Sequence, residues 1–111
     1  MERIFDLERE IRDSLLINIS IKLDFFSIVE KCILLTFRRS DESLFKVSFL
    51  NPIQFDYFED DFSSCYIGHL KCLQTEDNIQ ISLDPFDERI NEITEEDNFK
   101  IICENYIISE I

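Results

Sequence analysis

This chain carries no recognisable catalytic signature. His69 is the only histidine, and a lone histidine in an apolar strand is more often a hydrogen-bonded structural residue than a general base. Strand periodicity places the nearby Cys65 and Cys72 on opposite faces, so we expect no joint nucleophilic site with His69. The single glycine, Gly68, excludes a glycine-rich phosphate loop. We therefore predict that the protein is not an enzyme.

Carboxylates are plentiful, and oxygen ligands of this kind are the ones that Mg²⁺ and Ca²⁺ prefer. Asp60 and Asp61 are adjacent, but neighbouring side chains on a helix point in different directions and would not converge on one ion. The EF-hand pattern, which needs a central glycine, is absent. The sequence therefore predicts neither a metal site nor a bound cofactor.

The four cysteines are Cys32, Cys65, Cys72 and Cys103, and no two of them have the Cys-x-x-Cys spacing of zinc or redox sites. Each lies within an apolar run, which is typical of a buried thiol that packs as a small hydrophobic side chain. The opening stretch MERIFDLEREIRDSLL has charges throughout and lacks the continuous apolar segment of a signal peptide. We therefore expect a cytoplasmic protein with reduced cysteines.

Acidic residues are concentrated in the second half of the chain. The formal net charge is −13 at pH 7. Residues 1–55 hold 9 acidic and 8 basic residues, whereas residues 56–111 hold 15 acidic and 3 basic residues. Binding to phosphates requires Lys and Arg, so this balance argues against nucleic acid or an anionic membrane surface as a direct partner. It predicts a basic partner instead.

The stretch FDYFEDDF, residues 55–62, combines four aromatic rings with four carboxylates. Asn51 and Pro52 precede it and are typical of a helix N-cap and first turn, so we predict a short helix here. Its aromatic stripe would face the core, and its outward residues would be Asp56, Tyr57, Asp60 and Asp61. Glu59, Asp60 and Asp61 lie toward the C-terminal end of this predicted helix, where negative charge is unfavourable by about 0.3–1 kcal/mol per residue, so local stability does not explain them. Either they form an ordinary solvated face, or a partner requires them.

Apolar periodicity predicts the elements that position these side chains. Spacings of three and four residues predict a helix over residues 3–15. The segment INISIKLDF changes to a period of two and predicts a strand whose buried face includes Ile17, Ile19 and Ile21. CILLTF predicts a central strand, and LFKVSFL predicts a third strand that completes an antiparallel meander.

Three further segments complete the predicted fold. SSCYIGHLKCLQ and NIQISL predict two strands joined by TEDN as a hairpin, with a bulge or close backbone approach at Gly68. DPFDERINEI repeats the cap-then-proline pattern and predicts a second short acidic helix. FKIICENYIISEI predicts a closing strand that is bulged near Glu104. The prediction is a single α+β domain over residues 1–111, with an antiparallel sheet of five to six strands, an N-terminal helix and one or two short acidic helices.

This layout resembles the immunity proteins of bacterial toxin–immunity pairs, including those of contact-dependent growth inhibition. The shared features are small size, acidity and a sheet-rich chain with a short N-terminal helix. ISLDPFDE followed by EEDNFKI also resembles segments of small immunity-like families. The resemblance implies a protein that binds and neutralises a cognate toxin domain, commonly a nuclease, made by its own cell or by sibling cells.

We expect the partner-binding surface to combine two acidic segments, the first being FDYFEDDF, residues 55–62, and the second DPFDERINEITEEDN, residues 84–98. Charge would steer a basic toxin to this surface, and Tyr57 would anchor it. The alternative is an inhibitor that mimics nucleic acid, of anti-restriction or anti-CRISPR type, whose carboxylates replace phosphates on a basic nucleic-acid-binding protein. Both interpretations use the same predicted residues, which are Asp56, Tyr57, Asp60, Asp61, Asp87, Glu88, Glu92, Glu95, Glu96 and Asp97.

Overall fold

The structure is a computed structural model that describes residues 2–3, 5–22, 31–56, 65–84, 89, 92–93 and 97–111. One helix and ten strands lie in these ranges. Their bounds are β1 Glu2–Arg3, α1 Phe5–Ile11, β2 Ser14–Lys22, β3 Cys32–Arg38, β4 Leu44–Leu50, β5 Gln54–Asp56, β6 Cys65–Ile67, β7 Lys71–Gln74, β8 Ile79–Asp84, β9 Asn98–Cys103 and β10 Asn105–Glu110. No helix within the described ranges is long and apolar enough to cross a membrane.

The strands form two five-stranded sheets in which every neighbouring pair is antiparallel. Sheet A has the order β1-β7-β8-β9-β5, and sheet B has the order β10-β4-β3-β2-β6. The described ranges are mainly antiparallel sheet with one short helix, which confirms the broad α+β prediction. The predicted number of strands is wrong, because two segments that we expected to be single strands are each divided between the two sheets. Residues 2–3 and 54–56 also form strands that we did not predict.

The N-terminal helix is confirmed, although it is shorter than predicted. Leu7 and Ile11 of α1 are fully buried, as their spacing predicts. Arg12 Nη2 donates a hydrogen bond to Glu8 Oε1 at 2.6 Å, which is the expected pairing of residues four apart. The helix ends at Ile11 because Asp13 adopts a left-handed φ of 63°, from which the chain turns into β2.

Strands β2, β3 and β4 form the predicted meander. Leu35 on the central strand is the register partner of Ile19 on β2 and of Val47 on β4. Leu35 and Val47 are fully buried, and Ile19 packs against the edge of the core. An irregularity of the register at Ile17 leaves that residue half-buried, and Ile21 is 49% exposed. Of the three isoleucines that we expected to face the core, only Ile19 packs against it.

The helix predicted to start at Asn51 is wrong in the part that the structure describes. Asn51 has a left-handed φ of 51° and turns the chain, and residues 54–56 then pair with β9 as strand β5. Phe55 packs edge-to-face against Phe99, with ring centroids 6.0 Å apart. Main-chain pairing and burial of this ring outweigh the local helix signal, since propensity is only a weak determinant of structure. Residues 57–62 of the predicted helix lie outside the described residues.

Two segments predicted as single strands are each divided between the sheets. Around Gly68, β6 pairs with β2 in sheet B and β7 pairs with β8 in sheet A. At Glu104, β9 of sheet A is followed by β10 of sheet B. The hairpin of β7 and β8 is confirmed. Most of the second predicted acidic helix lies outside the described residues, and Arg89 within it lies in a turn.

One hydrophobic core lies between the two sheets. From sheet B, the rings of Phe37 and Phe45 stack with centroids 5.1 Å apart. From sheet A, the register partners Ile81 and Ile101 join the same cluster, as does Leu7 of α1. All five side chains are fully buried. The helix and both sheets therefore depend on the same packing.

We expect the cysteines to react in the order of their exposure. Cys32, Cys72 and Cys103 are free thiols; Cys32 is half-buried and the other two are fully buried. Burial raises the pKa of Cys103 to about 11, so at pH 8 only about one Cys103 in a thousand carries the reactive thiolate. A thiol–disulfide exchange reagent should modify Cys32 before Cys72 and should modify Cys103 only as the protein unfolds. The rate of Cys103 modification should rise as the pH approaches 11.

In denaturant the same reagent should count all four thiols of the freshly purified chain. Rapid modification of Cys103 at pH 8 in the folded protein would contradict its burial. A count below four in denaturant would show a disulfide or another modification.

Candidate partner-binding surface

The outer face of sheet A carries a row of polar side chains across four strands. In register order the row contains Lys71 on β7, Ser82 on β8, Lys100 on β9 and Asp56 on β5. Side chains alternate along a strand, and the chain neighbours of these residues pack into the core, so the row lies on the side of sheet A away from the core. Lys71 and Ser82 are nevertheless fully buried on that side. We call these four residues the sheet A row. Asp56 at one end leads into the first acidic segment, and Lys71 at the other end contacts the second.

Lys71 forms a buried ion pair with Asp97. Lys71 Nζ lies 3.2 Å from Asp97 Oδ1 and 3.0 Å from Asp97 Oδ2, and it also donates to the main-chain oxygen of Glu92 at 2.9 Å. Both charged side chains have 0% exposure. An ammonium group has three protons to donate, and these three oxygens accept them. The three ammonium protons of Lys71 therefore remain hydrogen-bonded although the ion pair is buried.

Asp97 is consequently not available at the surface, and its place in the predicted binding surface is wrong. The physical reason is the ion pair, because a buried ammonium without a counter-charge would be far less stable than the pair. The backbone bends at this point, where Phe99 has a left-handed φ of 50°. Left-handed backbone is unusual for an aromatic residue, and Phe99 remains buried against the core while Asp97 reaches Lys71.

The other described members of the predicted surface are partly or wholly accessible. Glu92 is exposed, although its main-chain oxygen is bound to Lys71. Asp56 is half-buried; it accepts a hydrogen bond from Gln54 Nε2, and its Oδ2 lies 3.9 Å from Lys100 Nζ. The remaining predicted residues lie outside the described ranges, and they are Tyr57, Asp60, Asp61, Asp87, Glu88, Glu95 and Glu96.

The excess negative charge of the second half of the chain lies outside the sheet A row, which itself holds two of the three basic side chains of this half. Residues 56–111 contain three basic side chains. Lys71 is neutralised in the interior by Asp97, and Lys100 is close to Asp56. The described carboxylates of this half that reach solvent include Glu76, Asp77, Glu92 and Glu104. The excess negative charge therefore belongs to residues other than the buried pair.

A second feature, which the sequence analysis missed, is a cleft of about 320 Å³ beside Tyr66. The Tyr66 side chain is exposed, and its hydroxyl donates to Asp13 Oδ1 at 2.6 Å, which raises the pKa of Tyr66. The residues that line the cleft are Asp13, Leu15, Arg38, Arg39, Ser40, Glu42 and Tyr66. Two carboxylates and two guanidinium groups balance in this cleft, so its charge selects no ionic ligand.

Arg39 in this cleft is engaged by the protein itself. Its Nη2 and Nη1 donate to the two carboxylate oxygens of Glu110 at 2.6 and 2.8 Å, and Nη2 also lies 3.1 Å from Glu10 Oε2. The guanidinium carbon lies 4.5 Å above the ring of Phe45. These hydrogen bonds raise the pKa of Arg39 and lower the pKa of Glu110. Arg39 therefore ties α1 and the C-terminal strand to the β3–β4 turn.

No three His, Cys, Asp or Glu side chains in the described ranges are grouped so that they could hold a metal ion. His69 is exposed in the loop between β6 and β7. The only signal in the sequence for the cleft was the pair Arg38–Arg39 within the polar turn RRSDES. Its contact with Tyr66 depends on the pairing of β6 with β2, which no local pattern shows.

The buried ion pair gives a stability prediction. Asp97→Asn keeps the shape of the side chain but leaves the Lys71 ammonium without its counter-charge, and we expect it to lower the free energy of unfolding by about 3–5 kcal/mol. Lys71→Met should cost a similar amount, and the double variant should recover part of the loss. Urea denaturation at pH 7 measures all three.

Asp77→Asn in the exposed β7–β8 turn is the matched control. It makes the same chemical change at the surface and should alter the free energy of unfolding by no more than about 0.5 kcal/mol. Equal effects of Asp97→Asn and Asp77→Asn would mean that the pair with Lys71 contributes nothing.

Comparison with known proteins supplies no relative. No protein-family model matches the chain, and comparisons with curated proteins and with solved structures give no match either.

Proposed function

We propose that the protein is an immunity-type inhibitor that binds a basic toxin domain, most simply a nuclease, through the acidic side of sheet A. The observation that carries this proposal is the distribution of charge. Residues 56–111 have a net charge of −12, from 15 acidic and 3 basic residues, while the first half of the chain is nearly neutral. Such an asymmetric field attracts a cationic partner and repels anionic ones.

The geometry of sheet A supports the proposal. Asp56 leads into the first acidic segment, and Glu92 belongs to the second. The sheet A row lies between them, and hydrogen bonds from Lys71 hold the second segment against that row. Asp56, Glu92 and Asp97, which are far apart in sequence, thus contact lysines of one face of a packed sheet, which limits the conformational entropy that these residues lose on binding.

Charge and apolar contact would have separate roles in the complex. Long-range attraction raises association rates by about 10- to 1,000-fold over a neutral pair, and salt weakens it because the Debye length is only about 8 Å at physiological ionic strength. Interface hot spots are enriched in Tyr, which supplies a large contact area and one hydroxyl. Tyr57, between the carboxylates of the first acidic segment, is the residue that we assign to this anchoring role.

The proposal is tested by co-expression with the product of a neighbouring reading frame that ends in a basic, toxin-like domain. We expect the chain to restore growth and to form a stable complex with that domain. If the two proteins neither bind nor rescue growth, the immunity function is wrong. If duplex DNA competes for the complex and unrelated nucleic-acid-binding proteins are also inhibited, the protein is a nucleic-acid mimic instead.

Charge reversal in the first acidic segment should slow association. The double variant Asp60→Lys and Asp61→Lys removes attraction where the partner approaches, so we expect the association rate at low salt to fall by about tenfold or more, with little change in dissociation. Stopped-flow or surface-plasmon kinetics at two salt concentrations measure both rates. The double variant Glu76→Lys and Asp77→Lys changes the net charge equally in the exposed β7–β8 turn and is the control.

A smaller fall in the association rate for the control variant than for the Asp60 and Asp61 variant would locate the interface on the acidic segments. Equal effects of the two double variants would show that only the overall charge matters. Unchanged binding and neutralisation for the Asp60 and Asp61 variant at low salt would mean that this segment is an ordinary solvated face.

Truncation of Tyr57 should change the dissociation rate rather than the association rate. Tyr57→Ala removes apolar contact without changing charge, so we expect faster dissociation, by about 30-fold or more for a hot-spot residue, with an unchanged association rate. Tyr66→Ala removes an exposed tyrosine on sheet B and is the matched control. If Tyr57→Ala and Tyr66→Ala dissociate equally fast, Tyr57 is not the anchor.

A further inference from the structure

Strand β10 presents an unpaired edge at the end of sheet B. It extends over six residues and pairs with β4 on one side, and no described strand lies on the other. Ile111 N donates to Leu44 O at 3.2 Å. This hydrogen bond shows which residues of β10 direct their main-chain N–H and C=O groups toward β4, because these directions alternate along a strand. The main-chain groups of residues 105, 107 and 109 therefore point to β4, and those of residues 106, 108 and 110 point away from it.

This edge lacks the features that usually block an edge strand. Its sequence NYIISE contains no Lys, Pro or Gly. The one charged residue, Glu110, is held by Arg39 through two hydrogen bonds. Apolar side chains flank the edge, because Ile107 is 51% exposed and Ile111 is 65% exposed. Only the N–H of Tyr106 is satisfied locally, by Asn105 Oδ1 at 2.8 Å.

Carboxylates surround the same edge. Glu104 is exposed at its start, and the Asp6 side chain, 79% exposed, lies near Tyr106. Burial and, after it, the charge of Asp6 raise the pKa of Tyr106. Near the other end, Asp41 opposes the ionisation of Glu110, although the hydrogen bonds from Arg39 dominate and lower the pKa of Glu110. Exposed carboxylates therefore lie near both ends of the edge, at Glu104 and at Asp41, whereas Asp6 is paired with Arg9 and Glu110 with Arg39.

We propose that an extended, basic segment of the partner adds to sheet B as a further strand along β10. Main-chain hydrogen bonds to residues 108 and 110 would fix the register, Ile107 and Ile111 would contact apolar side chains of the added strand, and the flanking carboxylates would select Lys or Arg. A second copy of the chain is the less favourable occupant, because its net charge of −13 would repel. This inference rests on the proposed function for the basic character of the partner.

The test uses the whole protein and a capped synthetic peptide of about eight residues that alternates Lys with Val, a length that matches an ordinary strand. We expect saturable binding by fluorescence anisotropy, with slower hydrogen exchange at the amides of Ile108 and Glu110. A matched peptide, methylated on the amide nitrogens that face β10, keeps its charge and side chains. It should bind about 10- to 100-fold more weakly, because two or three main-chain hydrogen bonds are lost.

Substitution of the edge provides a second measurement. Ile108→Pro removes an N–H that points away from β4 and should abolish discrimination between the two peptides, whereas Ile108→Val keeps the N–H and should preserve it. Thermal unfolding of both variants checks that the sheet is intact. If Ile108→Pro does not fold, the exchange data on the unchanged protein decide the question.

Four results would overturn the inference. They are equal binding of both peptides, slower exchange only on sheet A, no binding of either peptide, or dimers of the free protein that protect β10. None of them decides the proposed function, which depends on complex formation and growth rescue with the toxin domain. Conversely, β10 protection by the peptide without toxin binding would leave a strand-addition edge and reject the immunity function.

Discussion

The structure depends on main-chain pairing that continues where the chain passes from one sheet to the other. At the corner by Glu104, the Glu104 N–H donates to Leu50 O at 3.1 Å, and the Ile53 N–H donates to Ile102 O at 2.7 Å. Strands β4 and β5 therefore stay beside β10 and β9 through the bend. Because one pair of segments belongs to both sheets, a register slip in one sheet would disturb the other, and the shared core restricts both.

The proposed partner-binding surface lies on the side of sheet A that faces away from the core. Sheet A is covered on its inner side by the common core, but Leu73 and Lys71 on the outer side of β7 are also fully buried. The chain around Glu92 and Asp97 contacts Lys71 through the ion pair and a main-chain oxygen. A buried ion pair contributes less to net stability than to geometry, since a well-packed apolar pair of similar size is often equally stable. Its consequence here is that the second acidic segment has a fixed attachment point on the sheet.

The two proposed interactions with a partner differ in their range and in their physical origin. The acidic segments act at a distance through charge, are sensitive to salt and affect mainly the rate of encounter. The edge of β10 acts only on contact through directional main-chain hydrogen bonds and apolar side chains. Charge alone does not fix orientation, and an edge alone does not select between partners. A partner that used both would be steered by the first and aligned by the second.

The sequence by itself determined those features that depend on neighbours along the chain. The period of three to four residues located α1, the continuous apolar run CILLTF and the alternation in LFKVSFL located the meander, and TEDN located the β7–β8 turn. Composition alone established the acidity of the second half. These features follow from side-chain spacing and charge, which are local properties.

The tertiary structure alone decided which sheet each segment joins. Asn51 and Pro52 suit a helix start as well as a turn, and the choice was made by β9, which offers residues 54–56 a strand partner and offers Phe55 the ring of Phe99. Asp97 could be recognised as acidic but not as buried, because its counter-charge is 26 residues away in sequence. The sequence of one segment does not show which distant segment it pairs with, because the free energy of each contact depends on the side chains of both segments.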